Sequence, residues 1–390
     1  MAGNQKKFLF FVSDGAGLGH LHRMAKIAKA LQKSASCLVV SGHRATSWIV
    51  SEDCEYIHLP SFDSLLPNRA RHWGRKPFME FSTHDEIINF RKNLLKQVIE
   101  TYSPDGIFTD YLPLGKFDEM AEIIESHSAK KYFIVRGILD DPNSIRGEIL
   151  GGKGQRYLEE FYDKIFVTCD KKICDVVKEY KLNTILEKKL EYVGYVAELI
   201  NLHDIEQTRL ERGITSEQNW VVCSVGGGKA AEGLVQECIN IAHDYPNILF
   251  DVIVGPRSNY ACEFKTAEYK DYGNLRLHKE NHYLKYLHAS ADIVICHGGY
   301  NSLVECLQGK AKIICYPTQD KPNSEQYIHS HRLAEFSNIT TVTNYPDLKN
   351  IFKQAVKTLI FKGAFKEVSN LDFQGVEKIR NIVYKDLNIG

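Results

Sequence analysis

Lys7 to His20 reads KFLFFVSDGAGLGH, and this stretch decides the fold. Lys7 to Ser13 is an apolar run without polar alternation, the pattern of a strand buried on both faces. Gly15, Gly17 and Gly19 then make a turn, and Leu21, Met24, Ile27, Ala28 and Leu31 follow at helical spacing. Strand, glycine turn and amphipathic helix together make one βα unit of a parallel sheet.

Outward along the chain the unit recurs. Cys37 to Ser41, Glu55 to Leu59, Gly106 to Asp110, Tyr132 to Val135 and Lys164 to Thr168 supply further strands, with helices at His84 to Thr101 and Phe117 to Ser126. The series restarts at Trp220 to Val225, which leads into Gly226-Gly227-Gly228, and continues through Ile248 to Val254, Leu275 to His278, Asp292 to Cys296, Lys312 to Tyr316 and Ile339 to Val342. A chain of 390 residues is too long for one ordinary core, at roughly 150 residues per domain. The fold expected is α/β, two doubly wound Rossmann-like domains facing an interdomain cleft. Residues 1–196 form the first domain, the polar, helix-prone stretch 197–217 a linker, 218–370 the second domain and 371–390 a C-terminal helix. Open α/β sheets bind ligands beyond the carboxyl ends of their strands, so the cleft is the expected site.

Composition narrows the function classes. Lysine plus arginine and aspartate plus glutamate balance at 49 each, so no global field holds the chain on nucleic acid. No apolar run reaches the roughly 18 residues of a membrane span, and the first residues lead directly into a strand, as expected of a cytoplasmic protein. The ten cysteines are scattered, many in strand-like segments, and none forms a CxxC pair. Buried reduced thiols fit this pattern better than disulfides or a zinc site.

Two clusters carry chemistry. Ser13 to His20 ends the first strand and opens a helix, where Gly17 and Gly19 let a ligand approach the backbone and the helix start favours negative charge. The spacing departs from the dinucleotide fingerprint, because His20 stands where a glycine is needed. The second cluster is His297-Gly298-Gly299-Tyr300-Asn301-Ser302-Leu303-Val304-Glu305, after the buried strand Asp292 to Cys296. Glycines, a histidine and amide or hydroxyl donors at a helix start suit a diphosphate held without metal. Glu305 lies one turn beyond Asn301 and Ser302, where its carboxylate can accept hydrogen bonds from a ribose diol. Glu325 and Gln326 open a further helix. No Asp-x-Asp triplet occurs, and no cofactor or metal is expected.

HGGYNSLVE resembles the HCGWNSTLE donor signature of the UDP-glycosyltransferase superfamily, nucleotide-sugar enzymes of the GT-B fold, and Glu325-Gln326 stands where that superfamily carries its Asp/Glu-Gln pair. The resemblance implies that His297, Asn301 and Ser302 contact the diphosphate. Gly226-Gly227-Gly228, by their position after the first strand of the second domain, and Gly298-Gly299, at a helix start, are expected to contact it as well. The resemblance also implies that Glu305 holds the ribose, and Glu325 and Gln326 the sugar hydroxyls. The GxGH turn is placed like the superfamily's catalytic histidine, here His20, with Asp110 as the aspartate that orients it. That turn is also similar to the one in the bacterial transferase that adds N-acetylglucosamine to a lipid-linked precursor, and in a related nucleotide-sugar hydrolase. Two departures stand out: Tyr300 replaces a tryptophan, and Lys279-Glu280-Asn281-His282 occupies the place of the Trp-Ala-Pro-Gln segment that stacks on uracil.

The activity implied is metal-independent, inverting transfer of a sugar from a nucleotide-sugar donor, a UDP-sugar favoured, to a hydroxyl of a glycan or lipid-linked acceptor. A nucleotide-sugar hydrolase and an epimerase of the same fold are the alternatives. Arg69, Arg71, Arg75 and Lys76 surround Trp73 in a loop that could meet an anionic membrane surface.

Overall fold

A computed structural model describes residues 5–13, 18–43, 45–50, 54–61, 84–139, 151–226, 232–255, 269–271, 273–281, 283–317, 324–360 and 371–389. The chain divides into two compact units, one of Met1–Val196 with Asp372–Gly390 and the other of Ala197–Leu371.

The first unit is built on seven strands: β1 (Lys7–Val12), β2 (Ser36–Ser41), β3 (Glu55–His58), β4 (Gly106–Asp110), β5 (Lys130–Val135), β6 (Lys164–Val167) and β7 (Leu190–Tyr192). They pair in parallel in the order β3-β2-β1-β4-β5-β6-β7. The order reverses between β1 and β4, which makes a crevice at their carboxyl ends. There the register sets Val12 opposite Asp110. Aromatic rings tie four neighbouring strands across one face: Phe10 stacks on Phe108 with centroids at 4.6 Å, Phe108 on Tyr132 at 4.8 Å, and Tyr132 on Phe166 at 5.7 Å. The helix Gly19–Gln32 covers this core with Leu21, Met24, Ile27, Ala28 and Leu31, the residues whose spacing predicts it.

The C-terminal helix Gly375–Asp386 belongs to the first unit, where Ile379 and Val383 are fully buried in the same core as Phe8 and Phe10. Its anchor is backbone pairing: Tyr195 N–H donates to the Asp372 carbonyl at 2.6 Å, and Gly375 N–H to the Tyr195 carbonyl at 3.0 Å. Gly194 sits at φ +78°, and a Cβ there would lie 2.5 Å from the Asp372 carbonyl oxygen. Only glycine allows that approach.

The second unit carries β8 (Trp220–Ser224), β9 (Leu249–Ile253), β10 (Tyr269–Asp271), β11 (Leu275–His278), β12 (Ile293–Cys296), β13 (Lys312–Cys315) and β14 (Ile339–Thr341). Their order is β10-β11-β9-β8-β12-β13-β14, parallel throughout except for the antiparallel pair β10 and β11. Reversal here falls between β8 and β12, with Ser224 opposite Cys296. Within the stretch 197–217 the helix Leu202–Glu211 is closed by an Asn201 and Asp204 capping box. Arg209 of that helix donates to the Ser290 carbonyl at 2.9 Å, which attaches it to the second unit.

Two strands, β7 and β10, have no counterpart in the sequence reading. Each is three residues long and lies at a sheet edge, too short for a hydrophobic run to announce it. The helix expected from Phe117 begins at Ala121, because Asp118 adopts a left-handed φ of +55° and the Phe117 amide donates to Glu119 Oε2. All nine described cysteines are free and buried. No described helix is long and apolar enough to cross a membrane.

Candidate active site

In the first unit the crevice between β1 and β4 receives His20, second residue of the helix Gly19–Gln32, and Asp110, last residue of β4. His20 Nδ1 lies 2.7 Å from Asp110 Oδ2. The other carboxylate oxygen accepts from Arg23 Nη2 at 2.6 Å, and both Arg23 and Asp110 are almost wholly buried. A buried carboxylate between these two nitrogens is ionised. Burial works to raise its pKa, but the charges and hydrogen bonds of Arg23 and His20 outweigh that and hold it below 3.8.

The ionised carboxylate fixes the histidine tautomer. Nδ1 carries the proton and donates it to Asp110, which leaves the Nε2 lone pair as the basic atom. Arg23 Nη2 also lies 3.1 Å from Nδ1, but two donors cannot bond each other, so this contact acts through charge alone. Burial pushes the imidazole below its ordinary 6.5; Asp110 opposes this, and Arg136 and Arg23 add to the lowering. The result is a neutral imidazole at pH 7 that can take up a proton next to a carboxylate.

Sequence reasoning missed three residues around this pair. Arg23 lies one helical turn beyond His20, the only available signal. Tyr111 follows Asp110 at φ +66°, an unusual conformation for a non-glycine residue, and its ring lies 5.0 Å from that of His20. Arg136, next after β5, places its guanidinium carbon 5.4 Å from the Tyr111 ring.

In the second unit β12 and β8 are paired neighbours whose last residues, Cys296 and Ser224, stand opposite each other. Gly226 at φ +66° and Gly298 at φ +74° take conformations that glycine adopts without strain. Burial lowers the His297 pKa below 6.5, with the Tyr316 carbonyl and Cys296 opposing. His297 Nδ1 donates to that carbonyl at 2.6 Å, and Nε2 is buried with no hydrogen-bond partner among the described residues. Asn301, Ser302 and Glu305 lie on the helix Tyr300–Cys306, and Glu325 and Gln326 open the helix Glu325–Leu333 capped by Ser324. The two helices meet: Tyr300 stacks on His329 with centroids 6.0 Å apart, and a Cβ on Gly298 would stand 3.6 Å from the Gln326 carbonyl oxygen. Glu305 Oε2 accepts from His288 Nδ1 at 3.0 Å.

The structure therefore brings His20 to Asp110 in one unit. In the other it gathers His297, Gly298, Gly299, Asn301, Ser302, Glu305, Glu325 and Gln326 around neighbouring helices. Gly19 opens the His20 helix. Gly17, Gly227 and Gly228 lie outside the described residues, as do Trp73 and the basic residues Arg69, Arg71, Arg75 and Lys76. Lys279, Glu280 and Asn281 follow β11 and carry no ring.

Comparison with known proteins agrees with this architecture. Residues 221–376 match the family model of the glycosyltransferase family 28 C-terminal domain. A glycosyltransferase of Methanosarcina acetivorans, described as uncharacterized, is 21% identical over 98% of both chains. Among solved structures, a UDP-GlcNAc 2-epimerase from Neisseria meningitidis bound to UDP-GlcNAc superposes with a TM-score of 0.63 at 12% identity, covering 99% of this chain and 100% of that one. The glycosyltransferase SnogD from Streptomyces nogalater gives 0.61 at 13%, covering 98% and 100%.

Proposed function

We propose that this chain is a glycosyltransferase of the GT-B type, metal-independent and inverting, that moves a sugar from a nucleotide-sugar donor, a UDP-sugar favoured, to a hydroxyl acceptor. The observation that carries the reading is the pair of His20 and Asp110, joined at 2.7 Å at the switch point of the first sheet. Nε2 of His20 removes the acceptor hydroxyl proton as the oxygen attacks the anomeric carbon from the face opposite the leaving group. Asp110 keeps the tautomer and stabilises the imidazolium that forms. Attack from that face inverts the anomeric centre.

The second unit binds the donor. His297, Asn301 and Ser302 face the diphosphate, Glu305 accepts from the ribose diol, and Glu325 and Gln326 accept from and donate to the sugar hydroxyls. The diphosphate leaves with the bonding electrons of the anomeric C–O bond, and fixed hydrogen-bond donors stabilise its growing charge. Support comes from the matched family model over residues 221–376 and from the nucleotide-sugar ligand of one structural neighbour.

The acceptor is a glycan or a lipid-linked intermediate. Arg69, Arg71, Arg75 and Lys76 with Trp73 suit an anionic membrane surface. Sedimentation with anionic liposomes at low salt tests this: no binding, or binding that survives replacement of the four basic residues by serine, excludes it.

The reaction is tested by supplying UDP-, dTDP- and GDP-sugars with and without a polar-lipid and glycan extract as acceptor. Nucleoside diphosphate released only with acceptor is the expected result. Release of free sugar without acceptor identifies a hydrolase, and a changed sugar nucleotide with no diphosphate released identifies an epimerase.

A further inference from the structure

Behind Glu305 runs a buried chain of hydrogen bonds that the chemistry above does not use. His288, on the helix Leu284–Ser290, is fully buried and touches two groups. Its Nδ1 lies 3.0 Å from Glu305 Oε2, and its Nε2 lies 2.7 Å from the hydroxyl of Ser224, the last residue of β8. The proton order follows from the carboxylate. Ionised Glu305 can only accept, so Nδ1 donates to it; Nε2 is then an acceptor, and Ser224 donates its hydroxyl proton to Nε2. Ser224 is 2% exposed, so this hydroxyl is out of reach of a substrate.

We propose that Ser224 and His288 are positioning residues that hold the Glu305 carboxylate in the orientation that receives the donor ribose. The inference rests on the reading of Glu305 as the ribose acceptor. Glu305 stands on a helix of only seven residues and its side chain is partly exposed. A free glutamate has three side-chain torsions to fix on binding, and ordering it costs affinity. One oxygen tied to a buried imidazole removes most of that freedom before the ligand arrives, as outer partners do for functional side chains generally. The relay also has a geometric reason to lie where it does. Ser224 pairs in register with Cys296 and leads through Val225 into Gly226. The hydroxyl that holds His288 against Glu305 thus belongs to the residue at the end of β8, two residues before Gly226.

A merely structural histidine would satisfy its two bonds and influence only stability. The two roles are separated by comparing UDP with 2′,3′-dideoxy-UDP, which keeps the base and diphosphate and lacks the diol. Dissociation constants for both are measured on wild type, Ser224→Ala, Ser224→Thr, His288→Asn and His288→Leu by calorimetry. Wild type should prefer UDP by about tenfold or more, the worth of hydrogen bonds to a charged group. His288→Leu and Ser224→Ala should reduce that preference at least threefold, with affinity for the dideoxy analogue unchanged. His288→Asn, whose amide can replace the Nδ1 donor, and Ser224→Thr should restore it in part.

Unchanged affinity for the dideoxy analogue certifies that each variant is folded at the diphosphate turn. A preference kept intact in both His288→Leu and Ser224→Ala, or parallel weakening of both ligands, would overturn the positioning role while leaving Glu305 in place. No preference in the wild type would instead overturn the reading of Glu305, and the relay with it.

Discussion

His20 and Asp110 are ninety residues apart in the chain and 2.7 Å apart in space, Nδ1 to Oδ2, because β1 and β4 are neighbours at the point where the first sheet reverses. With the proton held on Nδ1, replacing His20 by alanine removes the base without disturbing the apolar face of its helix. His20→Ala should lower kcat about a hundredfold or more, with a melting temperature close to wild type. Asp110→Asn should cost a similar factor, since an amide can donate to Nδ1 and stabilise the wrong tautomer. Steady-state rates and thermal melts of the two variants check this; full activity in His20→Ala removes it from the mechanism.

The rate should depend on pH through the same residue. Burial sets the His20 pKa below 6.5, so the base is neutral at pH 7 and becomes protonated, and inactive, only as pH falls through that lower value. The acid limb of kcat/KM is therefore expected with a midpoint below 6.5. Arg23→Met removes a nearby positive charge and should move this limb upward.

Arg23 has a second consequence, for stability. Its removal leaves Asp110 as an uncompensated charge in a site 1% exposed, and breaking one side of such a buried pair costs about 3–5 kcal/mol. Arg23→Met should lower the denaturation midpoint accordingly. The double variant Arg23→Met, Asp110→Leu should recover much of that loss, because neither charge remains to be solvated, yet show little activity. Chemical denaturation of the three proteins measures both steps.

How much of this was legible beforehand follows from where the information resides. Strands buried on both faces are continuous apolar runs, so β1, β4, β8 and β12 and their terminal residues are visible in the sequence. His20 and the HGGYNSLVE turn are visible because glycine at a strand end has few other uses. Arg23 is not: it lies among apolar residues of a covering helix, and an arginine there looks like a solvated one until Asp110 is brought against it. The Ser224–His288–Glu305 chain is invisible for a related reason. Its members are 64 and 17 residues apart on three elements, and only the packing of helix Leu284–Ser290 against the helix Tyr300–Cys306 and the end of β8 joins them.

His297 predicts proton uptake on nucleotide binding. Its Nδ1–H is committed to the Tyr316 carbonyl, so neutral imidazole offers only a lone pair at Nε2, and diphosphate oxygens accept rather than donate. Contact with the diphosphate requires the imidazolium. Burial holds the free-state pKa below 6.5, so at pH 7 the proton must be taken from buffer. Affinity for UDP should rise as pH falls from the pKa of the complex toward that of the free protein. Calorimetry in two buffers of different ionisation enthalpy should show close to one more proton bound by wild type than by His297→Gln, whose amide donates without titrating. Equal uptake by both would place His297 away from the diphosphate.

Gly298 and Gly299 adjoin each other and should fail differently when changed to alanine. Gly298 is at φ +74°, and a Cβ there would press on Cys315 Sγ at 3.3 Å. Left-handed backbone costs a non-glycine residue about 1–2 kcal/mol, so Gly298→Ala should be destabilised by that order. Gly299 is at φ −62° and ψ 147°, open to any residue, and a Cβ there meets nothing within 4 Å. Gly299→Ala should therefore keep wild-type stability to within about 0.5 kcal/mol. If the space beside Gly299 receives the diphosphate, the added methyl group obstructs it, and UDP affinity should fall at least tenfold in a protein that melts normally. Thermal melts with and without UDP measure both quantities on one sample. A Gly299→Ala protein that is stable and binds UDP like wild type would mean that the glycine serves the turn alone and that the diphosphate lies elsewhere.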